Sequence, residues 1–182
     1  MNADRALARW LAGHHAFFLL LQGIILAHRR VEEALADGDE IAARRALAQA
    51  TRMLEGSAAA MLFAGDMPAE CYVVVRESMT PPNVPHKFSG LWSVDHRAMI
   101  DGLRALRALA GGLAGPLRAE WDAWKGALDR TYAAHACVCE HFVGDGPSLA
   151  MQPGTGQCAR SALQNLVAFR QRTLALAETQ RS

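Results

Sequence analysis

The chain has 182 residues, of which 51% are hydrophobic and 20% are charged, and its formal net charge is +1. This length suits one domain, and the apolar fraction is large enough for a packed core, so a disordered chain is excluded. A near-zero net charge argues against a nucleic-acid partner, because nucleic-acid-binding surfaces carry a clustered basic excess. We therefore expect a single domain over residues 1–182 that binds no nucleic acid.

The cysteines and the N-terminal segment predict a cytoplasmic protein. Four cysteines are too few and too unevenly spaced for a disulfide framework in a chain of this length. The N-terminus lacks a cleavage-type small-residue site and does not resemble a signal peptide. The most apolar run, Ala16 to Ala27, has about twelve residues, whereas about 20 are needed to cross a bilayer. We expect reduced thiols and no membrane-spanning segment.

Helical patterns dominate the first part of the chain. Helix-forming residues with apolar positions at helical spacing predict a helix over Ala3–Ala36, weakened only by Gly13 and Gly23. An Asp-Gly-Asp turn at 37–39 offers an N-cap for a second helix from Glu40 to about Phe63. This part of the sequence therefore predicts a helical hairpin.

The second part continues in helices, with one ambiguous segment. Residues 69–78 contain a Tyr-Val-Val-Val run with strand propensity, although no partner strand is visible. A proline-rich loop over 79–90 precedes a helix from about Ser93 to Leu109. The remaining predicted segments are a helix over Leu117–Val143, a loop over Gly144–Gly156 and a closing helix from about Ala159 to Glu178. The whole pattern predicts an all-α fold, a single bundle of about five main helices.

Histidine and cysteine are concentrated in the segment 135–141. On a helix, residues four apart share a face, so His135 and Cys139 project together, while Cys137 and His141 form a second pair on another face. Zinc needs about four convergent ligands, which a continuous helix divides between two faces. Haem needs one imidazole on iron and an apolar slot between helices, so it is the stronger of the two interpretations. Both compete with buried packing residues that hold no cofactor.

Three segments resemble the tryptophan 2,3-dioxygenase superfamily of haem enzymes. The C-terminal motif of that family is similar to the series His135, Glu140, Gly144 and Gly154-Thr155-Gly156. A second family segment is similar to Met79-Thr80-Pro81 followed by Ser89-Gly90-Leu91-Trp92-Ser93 and Arg97. The third similarity is a histidine early in a long first helix, followed by a hairpin with an Asp-Gly turn. The three segments occur in family order, and the resemblance implies a bundle with a haem slot between helices.

The resemblance implies roles for particular residues. His135 would be the proximal ligand of the haem iron. His14 or His15 would lie on the distal side, near oxygen and substrate, and we favour His14 because Trp10 lies one turn earlier, where the family has an aromatic residue. Thr155, in its glycine loop, would bind the amino-acid portion of the substrate.

Other residues of the same segments are candidates for contacts around the slot. Arg97 could contact a haem propionate, and Trp92 could line the substrate slot. The arginine that the family uses for the substrate carboxylate is missing, and His86 and Lys87 are the nearby replacements. The glycines Gly154 and Gly156 would let the loop approach the substrate closely.

Cys139 favours one branch of the superfamily. The pattern His135-x-x-x-Cys139 is similar to the motif of the haem-dependent tyrosine hydroxylases, in which the cysteine can form a single thioether bond to haem. Four residues advance about 6 Å along a helix, within reach of a porphyrin vinyl group. The resemblance therefore implies b-type or thioether-attached haem and hydroxylation of an aromatic amino acid with oxygen or peroxide. Dioxygenative ring cleavage is the alternative reaction.

Two further expectations concern assembly and the remaining cysteines. A long apolar first helix in a short chain predicts a homodimer or a larger homo-oligomer. Cys71, Cys137 and Cys158 are interpreted as packing residues. A hypothesis of another class is a non-enzymatic bundle that binds a small ligand or a partner, and such a protein would carry no visible chromophore.

Overall fold

A computed structural model describes residues 1–83 and 93–143, together with Asn165 and Ala168. Five helices lie in this described part of the chain: α1 (Ala3–Ala36), α2 (Glu40–Gly65), α3 (Ala69–Ser78), α4 (Val94–Ala110) and α5 (Gly115–Phe142). The predicted all-α fold is confirmed. The predicted loop over 144–156 lies outside the described residues, as does the predicted closing helix apart from Asn165 and Ala168, which are both helical.

Polar side chains determine where three of the helices begin. Asn2 caps α1, Asp39 caps α2 and Ser93 caps α4, each by accepting a hydrogen bond of 2.9–3.0 Å from an N–H in the first helical turn. These bonds satisfy donors that have no partner within the helix. Between α1 and α2, Gly38 has a φ of 73°, a conformation that favours glycine. The predicted hairpin turn is confirmed.

The ambiguous segment with strand propensity is a helix, as the all-α prediction requires. As α3, the segment places Cys71, Tyr72 and Val75 on one buried face and leaves its other two valines exposed. A strand would place alternate residues on opposite faces and could not bury these three together. Burial against the rest of the bundle therefore outweighs the local preference of the valine run.

Helix α2 lies between α1 and α5 and supports both. On one side, Gly13 of α1 packs so closely that a Cβ atom there would lie 2.5 Å from the Cβ of Ala64. On the other side, the hydroxyl of Thr131 in α5 donates a hydrogen bond of 3.0 Å to the carbonyl of Leu54. Gly13, which weakens α1 by propensity, is therefore needed for the close approach of two helices.

The buried apolar residues of the described chain form two separate clusters. The larger cluster joins α1, α2, α4 and α5 and includes Trp121 and Trp124. The smaller cluster lies where α3 packs, and it consists of Ala6, Met67, Cys71, Tyr72 and Val75. Trp10 and Phe142 pack against the smaller cluster, whereas Phe17 and Tyr132 pack against the larger one. One stretch of α1 and one stretch of α5 therefore lie between the clusters.

Helix α1 is long and apolar enough to cross a membrane, judged by length and composition alone. Its most apolar 18-residue window has a mean hydropathy of 1.5, and 33% of that window is buried inside the protein. Helices α2 and α3, bent by 105° at their junction, pass the same test as a pair. The core helices of soluble proteins also pass it, so the absence of a membrane span stays a prediction.

His28 makes the stability of the folded core depend on pH. Its ring is 1% exposed and lies edge-on to the ring of Trp124, with centroids 5.5 Å apart. In the described part of the chain neither ring nitrogen has a hydrogen-bond partner. Burial lowers the pKa of His28 from 6.5 to about 4. Between these two values the unfolded chain binds a proton that the folded chain does not, so stability falls as the pH falls through this window.

We expect His28→Leu to remove this part of the acid sensitivity. Because of His28, the wild-type free energy of unfolding should be about 3 kcal/mol lower at pH 4 than at pH 7. The loss in His28→Leu should be smaller by that amount, as measured by urea unfolding at both pH values. His15→Leu, which changes an exposed histidine of the same helix, is the control and should behave as the wild type. An equal loss in the wild type and His28→Leu would contradict the assignment.

Candidate functional site

His14 and His135 come together from two helices that run antiparallel. The ring of Trp10, near the start of α1, lies 6.5 Å from the ring of Phe142 at the end of α5. Trp124, further back in α5, contacts the later half of α1. His14 and His135 lie between these contacts, and a positive charge on His14 lowers the pKa of His135. The structure therefore brings together the two residues predicted for opposite sides of a cofactor.

Three aromatic rings form a wall beside the two histidines. The ring of Trp10 lies 4.1 Å from that of His14 and 5.5 Å from that of Tyr72. Tyr72 stacks on Phe142, with centroids 4.3 Å apart and planes inclined by 11°. We call Trp10, Tyr72 and Phe142 the aromatic cluster. It joins α1, α3 and α5 and gives the site an apolar side against which a planar ring can pack.

Both imidazoles are neutral at neutral pH. Burial lowers the pKa of His14 and of His135, because a charged ring would lose its hydration. The Nδ1 atom of His14 lies 3.0 Å from the carbonyl oxygen of Trp10. Since a carbonyl only accepts, Nδ1 donates and Nε2 keeps a lone pair. His135 has no hydrogen bond to another residue of the described ranges. A neutral ring with a free nitrogen is the form that ligates iron or accepts a proton.

Cys139 lies one turn after His135 on the same face of α5. It is a half-buried free cysteine, and burial raises the pKa of its thiol, so the sulfur is protonated at neutral pH. A charge on Cys139 also raises the pKa of Tyr72, which burial has already raised. Along α5, Cys139 lies between His135 and Phe142 of the aromatic cluster.

Tyr72 and Phe142 are the two residues of the aromatic cluster that the sequence analysis did not single out. The segment of Tyr72 reads as a possible strand, in which Tyr72 would not share a face with Cys71 and Val75. The spacing 71, 72, 75 is helical, and the tyrosine on that apolar face was the available signal.

The other predicted site residues are exposed or lie outside the described residues. His15 is exposed and lies beside His14 on α1, so it does not share the half-buried position of His14. Arg97 is exposed near the start of α4, and no contact among the described residues joins it to His14 or His135. Five predicted residues lie outside the described ranges: Lys87, Trp92, Gly154, Thr155 and Gly156.

The other cysteines divide into one confirmed and one wrong interpretation. Cys71 is buried in the smaller apolar cluster, as predicted. Cys137 is exposed on α5, because it lies two residues from both His135 and Cys139 and so faces away from the bundle. Cys158 lies outside the described residues.

The side chains of this site suit a prosthetic group whose metal binds only one or two protein ligands. Within residues 1–83 and 93–143, no three His, Cys, Asp or Glu side chains come together as a metal-binding group. Structural zinc normally takes four such ligands, whereas haem iron takes one or two from the protein. One neutral imidazole with free nitrogens, beside apolar rings, fits haem. The fold and the site thus define an all-helical domain suited to a histidine-ligated prosthetic group.

Comparison with known proteins identifies the family. The family model described as SfmD 3-methyl-L-tyrosine peroxygenase matches residues 1–142, which include all five helices. The chain is 38% identical over 167 residues to the 3-methyl-L-tyrosine peroxygenase of Streptomyces lavendulae, and the match covers 91% of this chain. The chain therefore belongs to the SfmD peroxygenase family. It spans only 45% of the length of that relative. No solved structure gives a significant match.

The comparison confirms the resemblance to oxygenases of aromatic amino acids. The wider kinship with the tryptophan 2,3-dioxygenase superfamily stays a prediction. The residues His14, Tyr72, His135 and Cys139 all fall within the matched range.

We expect His14→Gln to raise the pKa of His135. A glutamine carries no positive charge, so it removes the repulsion that lowers the pKa of His135. Histidine titration by NMR in the apoprotein measures this shift. His15→Gln is the matched control and should leave His135 unchanged, because His15 acts on His14 instead. An unchanged His135 titration in His14→Gln would show that the two rings are not neighbours.

Proposed function

We propose that the chain holds the active site of a haem-dependent peroxygenase that hydroxylates an aromatic amino acid of the tyrosine type in a biosynthetic pathway. One observation carries the proposal: two neutral histidines meet between two apolar clusters, within the stretch that the peroxygenase family matches. The name of the matched relative specifies 3-methyl-L-tyrosine as its substrate. Peroxide is therefore the oxidant that we favour over oxygen, and ring hydroxylation is favoured over ring cleavage.

His135 and Cys139 would hold the haem from one face of α5. The neutral imidazole of His135 would ligate the iron, and haem would then supply the oxidising chemistry. The protonated thiol of Cys139 suits a single thioether attachment. In that step, S–H adds across a vinyl C=C of the porphyrin: a C–S bond forms, the hydrogen goes to the other vinyl carbon, and no oxidant is consumed.

His14 would move a proton at the distal side. Its Nε2 lone pair can accept a proton from a reactant hydroxyl, and the bond from Nδ1 to the Trp10 carbonyl keeps that tautomer in place. Because burial lowers the pKa of His14, the ring returns an accepted proton readily. The aromatic cluster would exclude water and pack against the ring of the substrate.

The remaining predicted contacts complete the proposal. Arg97 would meet a haem propionate, and the loop residues Gly154, Thr155 and Gly156, with Lys87 and Trp92, would bind the rest of the substrate. We further propose a cytoplasmic protein that forms a homodimer or larger homo-oligomer. Three exposed leucines of α1, at positions 11, 19 and 26, offer an apolar surface for a second copy.

We expect haem to bind through His135 and to be bonded to Cys139. Protein expressed with ample haem should show a Soret band, and His135→Ala should lose it. After extraction with acidified organic solvent the haem should stay with the wild type and be released from Cys139→Ala. Cys137→Ala, which removes the exposed thiol two residues away, should retain it. A colourless wild type would contradict the haem proposal, and complete extraction from the wild type would contradict the thioether alone.

We expect the haem-loaded protein to hydroxylate a tyrosine-type substrate with hydrogen peroxide. Incubation with 3-methyl-L-tyrosine or L-tyrosine should give a product heavier by one oxygen atom in mass spectrometry. His14→Ala should lower kcat by about 100-fold or more, because it removes the proton acceptor. Absence of any oxygenated product from either substrate would contradict the proposed reaction, and a fully active His14→Ala would contradict only the role of His14.

A further inference from the structure

The exposed face of α1 carries a heptad pattern. The core of the bundle lies against the other side of this helix, where Leu21, Ile24 and Val31 are buried. Nine residues at alternating spacings of three and four, all of them exposed, follow the opposite side, and we call them the α1 seam. They are Arg5, Ala8, Ala12, His15, Leu19, Gln22, Leu26, Arg29 and Glu33. This is the spacing by which two helices pack along each other in a coiled coil.

The middle of the seam is apolar for a surface that faces water. Residues 10–28 of α1 contain no Asp, Glu, Lys or Arg. Only 33% of the most apolar 18-residue window of the helix is buried inside the protein. Leu19 is 74% exposed and Leu26 is 51% exposed. Single exposed apolar residues are ordinary, whereas a continuous uncharged face marks an interaction surface.

The seam is arranged symmetrically about Leu19. Arg5 and Glu33 each lie fourteen residues from Leu19, which is about 21 Å along the helix axis. Ala12 and Leu26 each lie seven residues from Leu19. Two copies of α1 that run antiparallel and meet at Leu19 therefore place Arg5 opposite Glu33 of the second copy. The same pairing places the small Ala12 opposite the larger Leu26.

Charge decides between the two directions in which such helices can pair. In a parallel pair, Arg5 would face Arg5 of the second copy and Arg29 would face Arg29, so like charges would meet at both ends. In the antiparallel pair opposite charges meet at both ends, because the two-fold axis repeats the contact of Arg5 with Glu33. Within residues 1–83 and 93–143, the side chains of Arg5 and Glu33 form no ion pair.

We propose that the α1 seam binds the same seam of a second copy of this chain, antiparallel and with Leu19 at the two-fold axis. The inference rests on the proposed assembly, which it specifies as a dimer of this geometry, and it does not depend on the proposed chemistry. A lipid surface fits less well, because His15 and Gln22 interrupt the apolar positions that a membrane-binding helix would present. Between paired helices, such polar residues fix the register.

The seam lies on the other side of α1 from the candidate site. Trp10 and His14 are four residues apart and share a face, whereas Leu19 follows His14 by five residues and projects about 140° away from it. The two histidines and the aromatic cluster therefore lie outside the proposed interface. Haem binding can thus be measured in variants of the seam as a separate property.

The first test is the mass of the full chain in solution, measured by sedimentation equilibrium at micromolar concentration. The wild type should have twice the 19.7 kDa mass of one chain. Leu19→Glu should be monomeric, because it places two carboxylates against each other at the axis. Its helix content by circular dichroism should match the wild type, since Leu19 is exposed. Ile41→Glu, which changes a 63% exposed residue of α2, is the matched control and should remain a dimer.

The outcomes of this test separate the proposals. A monomeric wild type would overturn the inference together with the proposed assembly, and its binding to phosphatidylcholine vesicles would identify a lipid surface as the partner of α1. A dimeric Leu19→Glu would overturn the inference alone, because the copies would then meet at another face. A Soret band in the monomer would leave the haem proposal in place, and its absence from a dimeric wild type would contradict only the haem proposal.

The second test exchanges the charges at the two ends of the seam. Arg5→Glu should raise the dissociation constant of the dimer by about 3- to 30-fold, because it brings like charges together at both ends. Adding Glu33→Arg should restore the wild-type value, since each end again holds opposite charges. In a parallel dimer the double variant would still bring like charges together. An unchanged dissociation constant in Arg5→Glu, or no recovery in the double variant, would contradict the antiparallel pairing.

Discussion

Two half-buried imidazoles at one level of the bundle constrain the chemistry of this site. A charged ring at that position would give up its water, and a charge on His14 would also repel a charge on His135. Both rings are therefore held neutral, which leaves nitrogen lone pairs available in an apolar setting. Iron ligation and proton transfer both require this form of histidine. The burial that lowers these pKa values also makes the fold sensitive to acid, as it does at His28.

The scaffold that brings the histidines together is the central helix α2. Gly13, next to His14, allows α1 to approach Ala64 on one side of α2. Thr131, one turn before His135, bonds to a carbonyl on the other side of α2. Each histidine is thus adjacent to a contact that fixes its helix on the same support. Helix α3 adds Tyr72, whose ring contacts Trp10 of α1 and Phe142 of α5.

The sequence was sufficient for most of the helices because the determinants of their ends are local. Caps such as Asp39 and breaks such as the turn at 37–39 can be identified without knowing the fold. The pair His135 and Cys139 was also visible, since both lie on one helix at a fixed spacing. The meeting of His14 with His135 was not predictable from periodicity, because it depends on the packing of helices far apart in the chain. Tyr72 was missed for a related reason: local propensity favoured a strand where tertiary burial produces a helix.

The most direct test of the central claim is hydrogen exchange with and without haem. The claim is that the cofactor binds between the two apolar clusters, against the stretches of α1 and α5 that carry His14 and His135. Adding haem to the apoprotein should slow amide exchange in peptides covering 10–20 and 131–143 much more than in peptides covering 101–110, the later part of α4, because bound ligand suppresses local opening of the segments that it contacts. Protection confined to other helices, or no change in these two segments on haem binding, would contradict the account.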